Sequence, residues 1–245
     1  MKKLVLTLLI LIFASPGFGA GKTVTYTVDG ADYEGYYTSP DKKAPLVLLL
    51  HDWDGLTDYE VKRSEMLAAM GYTVFAADLF GKGVRPTEVK DKRQHTGELY
   101  KDREKMRRLL NGALSEAKRL GGNTGNAVAM GYCFGGAAVL EFARSGADVK
   151  GFVTFHGGLQ TPEGQDYAKT RGSVLILHGT ADANITMDQF AALAAELEQA
   201  GVSHEMITYS GAPHAFTVFG SNRYRKDADE KSWRRFTDYL QQTLD

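Results

Sequence analysis

Two rhythms of apolar and polar positions alternate along the chain. Val24 to Val28 and Tyr33 to Thr38 alternate with period two and are separated by Asp29-Gly30, which predicts a hairpin. Pro45 to Leu50 and Tyr72 to Ala77 are short continuous apolar runs, the pattern of strands buried on both faces. Ala127 to Met130, Phe152 to Phe155 and Val174 to Leu177 repeat it, and Glu205 to Tyr209 reads as a last strand. Between these runs the period changes to that of a helix. Asp58 to Met70 stops at Gly71, and from about Leu99 to Leu120 the stripe Met106, Leu109, Leu110, Ala113, Leu114, Ala117 and Leu120 predicts one helix ended by Gly121-Gly122. Phe134 to Arg144, Met187 to Ala200 and a terminal segment carrying Trp233, Phe236 and Leu240 are further helices. Strands alternating with helices at this spacing predict an α/β fold, a mostly parallel sheet with helices on both faces and an antiparallel amino-terminal hairpin. The stretch Gly81 to Gly97 is charged and shows no clear period, which fits either a solvated connection or a loop at the rim of a site.

The first residues break this pattern. Lys2 and Lys3 precede an apolar run from Leu4 to Ala14, too short to span a bilayer comfortably, and Gly17 and Gly19 follow it. Residues 1–19 therefore read as a secretory signal peptide cut after Gly19, leaving one α/β domain over residues 20–245 and pointing to export, most simply to a bacterial periplasm. No stable membrane span is expected after the cut. The whole chain of 245 residues has a net charge of −1, and losing Lys2 and Lys3 takes its 29 basic residues to 27 against 30 acidic ones, a net of −3. A nucleic-acid partner is excluded on that balance, since it would require a strongly basic face. The single cysteine rules out an internal disulfide.

That cysteine stands in the most informative motif, Gly131-Tyr132-Cys133-Phe134-Gly135-Gly136, between a predicted strand and a predicted helix. The spacing is that of a nucleophile elbow, with cysteine in place of the more common serine. A turn this sharp brings backbone against the positions two before and two after the nucleophile, so glycine is needed at both. The helix amino terminus behind it favours negative charge. A buried structural cysteine is the plainer alternative, but the elbow context favours a nucleophile. A base and an orienting acid should follow on later strand ends, in the order nucleophile, acid, histidine. Asp182 and His214 stand there. Asp188, the rival carboxylate, lies at a helix start and reads as a cap. The oxyanion hole needs two backbone N–H groups, for which Phe134 follows the nucleophile and Trp53 lies in the loop after the first central strand. His51, His156 and His178 each end a predicted strand, yet no metal-ligand spacing accompanies them, so they are expected to hydrogen-bond loops around the pocket. His95 and His204 read as surface residues.

With these residues in view, the chain resembles the dienelactone hydrolase family of α/β-hydrolases. The resemblance runs from Gly35-Tyr36 to Trp233 and includes Asp78-Leu79-Phe80-Gly81-Lys82-Gly83, Phe155-His156-Gly157-Gly158, Leu177-His178-Gly179 with Asp182, and His214-Ala215-Phe216. It implies Cys133, Asp182 and His214 as the triad, with Trp53 and Phe134 forming the oxyanion hole. Two positions depart from the family. Asp52 stands where a glutamate usually helps to activate the cysteine, and Val218 stands where dienelactone-cleaving members carry an arginine for the substrate carboxylate. Lys82, Arg85, Arg93 or Arg223 are candidates to replace that arginine, Lys82 and Arg85 foremost. The expected activity is cleavage of a small ester or lactone through a Cys-His-Asp triad and an acyl-enzyme, without metal or organic cofactor. The alternative is a binding protein that keeps the hydrolase fold without turnover, and a redox-sensing thiol is weaker for want of a resolving cysteine. Oligomeric state is not legible in the sequence.

Overall fold

The computed structural model of the protein describes residues 21–244. The signal peptide expected over residues 1–19 lies outside the described residues. Among the latter, no helix is long and apolar enough to cross a membrane. In chain order the elements are β1 (Lys22–Val28), β2 (Ala31–Thr38), β3 (Pro45–Leu50), α1 (Asp58–Ala69), β4 (Thr73–Ala77), α2 (Val89–Lys101), α3 (Arg103–Arg119), β5 (Asn123–Tyr132), α4 (Phe134–Arg144), β6 (Gly151–Phe155), β7 (Ser173–Gly179), α5 (Met187–Gln199), β8 (His204–Tyr209) and α6 (Lys226–Thr243).

The strands form one eight-stranded sheet in the order β1-β2-β4-β3-β5-β6-β7-β8. β1 and β2 pair antiparallel, as do β2 and β4, and every later pairing is parallel. The hairpin turn places Asp29 and Gly30 at φ 51° and 79°, the left-handed pair that joins two twisted strands most easily. In the central strands the alternation of side chains divides the core in two. Leu46, Leu48, Leu50 and Phe75 pack with Met106, Leu109 and Leu110 of α3, Phe142 of α4 and Leu193 and Leu197 of α5. Val47, Leu49, Val74 and Ala76 face the other way, against Leu67 of α1 and Phe236 and Leu240 of α6. Because each strand is covered on both faces, its apolar run is unbroken, and this is why the sequence showed blocks rather than alternation there.

One expectation changes. The helix foreseen from about Leu99 to Leu120 is two helices, broken at Asp102, whose carboxylate accepts the Lys105 N–H at 2.8 Å and caps α3. The aperiodic stretch before it contains most of α2, which buries only Thr96 and Leu99 and so leaves no stripe to read. It forms neither a plain connection nor an irregular loop but a polar helix leaning on α3. The parallel strands then bring the loops after β3, β5, β6, β7 and β8 to one edge, where a ligand of such a sheet is bound.

Candidate active site

β5 ends at Tyr132, α4 begins at Phe134, and Cys133 between them has φ 50° and ψ −111°. A side chain held in that region costs about 1–3 kcal/mol and persists only where the surroundings enforce it. Here the Cys133 N–H donates to the Phe155 carbonyl at 3.0 Å. A Cβ on Gly131 would run into the backbone of Gly135, and one on Gly135 into the carbonyls of Leu50 and His51. Both glycines are therefore required by close backbone approach, as the spacing implied. The thiol stands at the carboxyl edge, half-buried and reachable.

Three residues that are far apart in the chain meet here. His214 Nε2 lies 3.1 Å from Cys133 Sγ, and its Nδ1 lies 2.7 Å from Asp182 Oδ2. The second carboxylate oxygen, Oδ1, accepts the N–H groups of Asn184 at 2.9 Å and Ile185 at 3.0 Å, which fixes the carboxylate plane. The loops are tied to each other, since Ala181 N–H donates to the Ala212 carbonyl at 3.0 Å. Burial alone would lower the pKa of His214, but the hydrogen bonds to Asp182 and then to Cys133 raise it to about 10. Burial would likewise raise Asp182, and the His214 hydrogen bond holds it below the usual carboxylate range. The arrangement is thus an imidazolium held between the Asp182 carboxylate and the Cys133 sulfur at neutral pH. Asp188 lies in the first turn of α5, outside this chain of contacts.

The Phe134 and Trp53 amides donate to no described residue, which leaves both available to an incoming oxygen. Phe134 is the first residue of α4, where intrahelical acceptors are lacking by geometry. Trp53 is held from outside by Lys92, whose ammonium lies 5.2 Å over its ring and 2.6 Å from Asp54. Asp52 is buried and its Oδ1 accepts the Asp54 N–H at 2.8 Å. Burial, with Asp54 adding to it, pushes Asp52 up to about 6, while the charge of His214 pulls it down. Asp52 therefore reads His214 by its field; no hydrogen bond joins it to Cys133 among the described residues. Glu60 in α1, fully buried, is raised to about 8 by burial and by the charge of Asp52.

The remaining histidines are structural. His51 Nδ1 bonds the Asp52 carbonyl and its Nε2 accepts the Leu79 N–H at 3.0 Å, so the ring is neutral, with burial lowering its pKa to about 4. His178 Nε2 bonds the Ile185 carbonyl at 3.0 Å, and His156 Nε2 pairs with Thr217 Oγ1 at 2.8 Å. His95 is not a plain surface residue, because its ring stacks on Phe80 at 5.3 Å. No group of metal-binding side chains occurs among the described residues.

The two basic candidates for substrate binding are placed elsewhere. Arg85 spends its guanidinium on the Leu56 and Val84 carbonyls and on Glu34 at 3.3 Å. Lys82 is exposed beside the hairpin, its N–H bonded to the Asp32 carbonyl at 2.9 Å. Neither lines the cleft that does open beside the elbow. That cleft, of about 410 Å³, lies between Tyr100, Arg103, Ala137, Leu159, Ile185 and Gln189, with Arg144 at its back. It adjoins the site at two points: Tyr100 packs edge-on against Phe134 at 5.4 Å, and Ile185 is the residue bonded to Asp182. Tyr100, Arg103 and Arg144 were missed from sequence. The available signal was Glu141 and Arg144 inside the otherwise apolar helix Phe134–Arg144, every residue of which is buried.

Known proteins bear on this geometry. The family model of the dienelactone hydrolase family matches residues 33–244. The solved structure of m3DLH is similar with a TM-score of 0.86 at 29% identity, over 93% of this chain and all of that one (100%). A dienelactone hydrolase-like promiscuous phosphotriesterase from metagenomic libraries superposes with a TM-score of 0.84 at 28% identity, again over 93% of this chain and 100% of the other. A Yersinia pestis protein whose name assigns it provisionally as a carboxymethylenebutenolidase is 24% identical over 240 residues, 92% of this chain and 89% of its own length. An eight-stranded α/β sheet with a cysteine at its elbow, and a family match over nearly all of the described chain, lead to one conclusion: the chain belongs to the dienelactone hydrolase family.

Proposed function

We propose that this chain, by its family a hydrolase acting on carboxylic esters, cleaves a small ester or lactone through a Cys133–His214–Asp182 triad and a thioester intermediate. The reading rests on one observation, the continuous contact from Cys133 Sγ through His214 to Asp182 at 3.1 and 2.7 Å. Cys133 Sγ adds to the carbonyl carbon, and the electron pair moves to the carbonyl oxygen between the Trp53 and Phe134 N–H groups. Collapse breaks the bond to the alcohol oxygen, which takes the proton from His214 Nε2. Water then gives a proton to the neutral His214 and its hydroxide adds to the thioester. Release of the acid restores the thiolate beside the imidazolium, so atoms and charge balance.

Cys133→Ala is expected to lower kcat/KM on nitrophenyl acetate and on a simple lactone by about 10³-fold or more. Full activity in that variant overturns the reading. A wild-type chain inert on aryl esters, lactones and thioesters alike favours the binding protein instead. With His214 raised to about 10, acylation should decline above that pH as its proton is lost. The apolar run after Lys2 and Lys3 supports a second proposal, export of the chain. Intact-mass measurement of the chain recovered from a secreting host tests it: loss of residues 1–19 is expected, and a full-length mass overturns it.

A further inference from the structure

The two N–H groups offered to a carbonyl oxygen belong to unlike parts of the chain. Phe134 is the first residue of α4, and the helix that follows fixes its amide. Trp53 lies half-buried in the loop between β3 and α1. An amide in a loop has no helix to hold its direction, so other contacts must. One is internal: the Asp52 carboxylate accepts the Asp54 N–H at 2.8 Å and closes a turn around Trp53. The other comes from α2. Lys92 reaches across to the loop, its ammonium 2.6 Å from Asp54 Oδ1 and 5.2 Å over the Trp53 ring. Its side chain is only 15% exposed, whereas Asp91 and Arg93 on either side of it face solvent. A lysine is seldom buried to that degree unless its charge is paired. That charge is felt at Asp52 as well, whose carboxyl it pulls down against burial.

Two further contacts lie on the same face of α2. His95 stacks on Phe80 at 5.3 Å, and Phe80 packs against Phe134 at 5.4 Å. Tyr100 meets Phe134 edge-on at 5.4 Å. The helix buries only Thr96 and Leu99, so its seat depends on these contacts more than on an apolar stripe. Near its start α2 grips Trp53, and at its end it grips Phe134, the residues that carry the two amides.

We propose that Lys92 is a positioning residue for the oxyanion hole: by holding Asp54 and the Trp53 ring, it aims the Trp53 N–H at the oxygen that the Phe134 N–H also meets. The inference rests on the hydrolase reading above and deepens it, giving the hole a third member that does not itself touch the substrate. A donor aimed before the reaction stabilises the developing charge without reorganising, and a loop free to turn forfeits part of that effect.

Nitrophenyl butyrate and iodoacetamide separate the hole from the thiol. Attack on the ester builds an oxyanion; alkylation displaces iodide from carbon and builds none. Lys92→Met should lower kcat on nitrophenyl butyrate about 10- to 30-fold with KM changed by less than about two-fold, since acylation and deacylation both pass through the hole. Cys133 in that variant should be alkylated at the wild-type rate, with the circular dichroism spectrum unchanged. Lys92→Arg should recover most of kcat, because a guanidinium also stacks on an indole and pairs with a carboxylate. Lys90→Met, which removes an exposed charge from the same helix, should change neither rate. A wild-type kcat in Lys92→Met, a loss confined to KM, or an equal fall in hydrolysis and alkylation overturns the proposal. Should Lys92→Met not fold, Asp54→Asn cuts the same tie from the loop side and must show the same split, or the proposal is wrong. If wild type cleaves no ester, the hydrolase reading has failed, and phenyl trifluoromethyl ketone tests the hole by itself. Cys133 Sγ adds to its carbonyl carbon and the electron pair moves to the oxygen, which rests in the hole. Affinity for this ketone should then fall about 10-fold in Lys92→Met. Equal affinity in both proteins, or no adduct in wild type, overturns the proposal by that route.

Discussion

Two groups of buried charge flank the elbow, and they are built to opposite designs. On the α1–α6 side, Arg63 is matched one to one: its Nη2 lies 2.5 Å from Asp229 Oδ1 and 3.0 Å from the Thr217 carbonyl. Its remaining faces are closed by aromatic rings, Phe219 at 4.2 Å, Trp233 at 4.8 Å and Tyr59 at 5.3 Å. On the α3–α4 side, Glu141 is shared by three arginines and the space beside them is open. A cation enclosed with its own counterion and ring faces can only hold structure. Arg103, whose Nη2 donates to no described residue, stands instead at the wall of a cleft. The two groups therefore differ in the ratio of charges and in enclosure, not in burial itself.

The comparison can be broken from its strong end first. Arg63→Met leaves Asp229 buried without its cation and should cost about 3–5 kcal/mol, read as a lower urea midpoint with every ester affected in proportion to the folded fraction. Glu141→Gln removes the only carboxylate common to the three arginines. Since Arg103 and Arg107 are partly exposed, water offsets some of the loss, and about 2–3 kcal/mol is expected in the same measurement. Acid should sharpen the contrast further. Burial would raise the Glu141 pKa, but Arg144 and Arg107 together hold it below its ordinary 4.5. A depressed carboxylate contributes stability above its unfolded pKa and loses it as pH falls through the folded value. Below about pH 4.5, then, the gap in urea midpoint between wild type and Glu141→Gln should close. Arg103→Gln is the smallest perturbation, under about 1 kcal/mol, because its ion pair is long and partly exposed. A large stability loss there would make Arg103 a scaffold residue like Arg63.

Much of this molecule could be read from its residues, and the parts that could not share a cause. The strand blocks from Pro45 to Leu177 were legible because burial on both faces strongly disfavours polar residues. The elbow was legible because Gly131 and Gly135 answer a steric demand that no other residue meets. Asp182 and His214 followed from strand order. α2 was hidden because a helix that buries two side chains leaves no periodic trace. Arg103 was hidden for another reason. Its surplus charge depends on which charged groups of α3 and α4 come together, and pairing across helices is a tertiary property. Lys82 and Arg85, candidates to replace the arginine absent at Val218, do not line the cleft, and the folded chain spends Arg85 on Glu34 and backbone carbonyls.

The separation of the three site residues along the chain bears on how the protein acquires its function. His214 reaches back 81 residues to Cys133 and 32 to Asp182, and each partner sits after a different parallel strand. No hairpin or single crossover can assemble them, and parallel pairings form slowly because loop closure must come first. Catalytic turnover should therefore be among the last properties to return when the denatured chain is diluted into buffer, well after helical signal. With one cysteine there is no disulfide to mispair during that interval. The recovery of activity would then serve as a clock for closure of the sheet's β7–β8 edge.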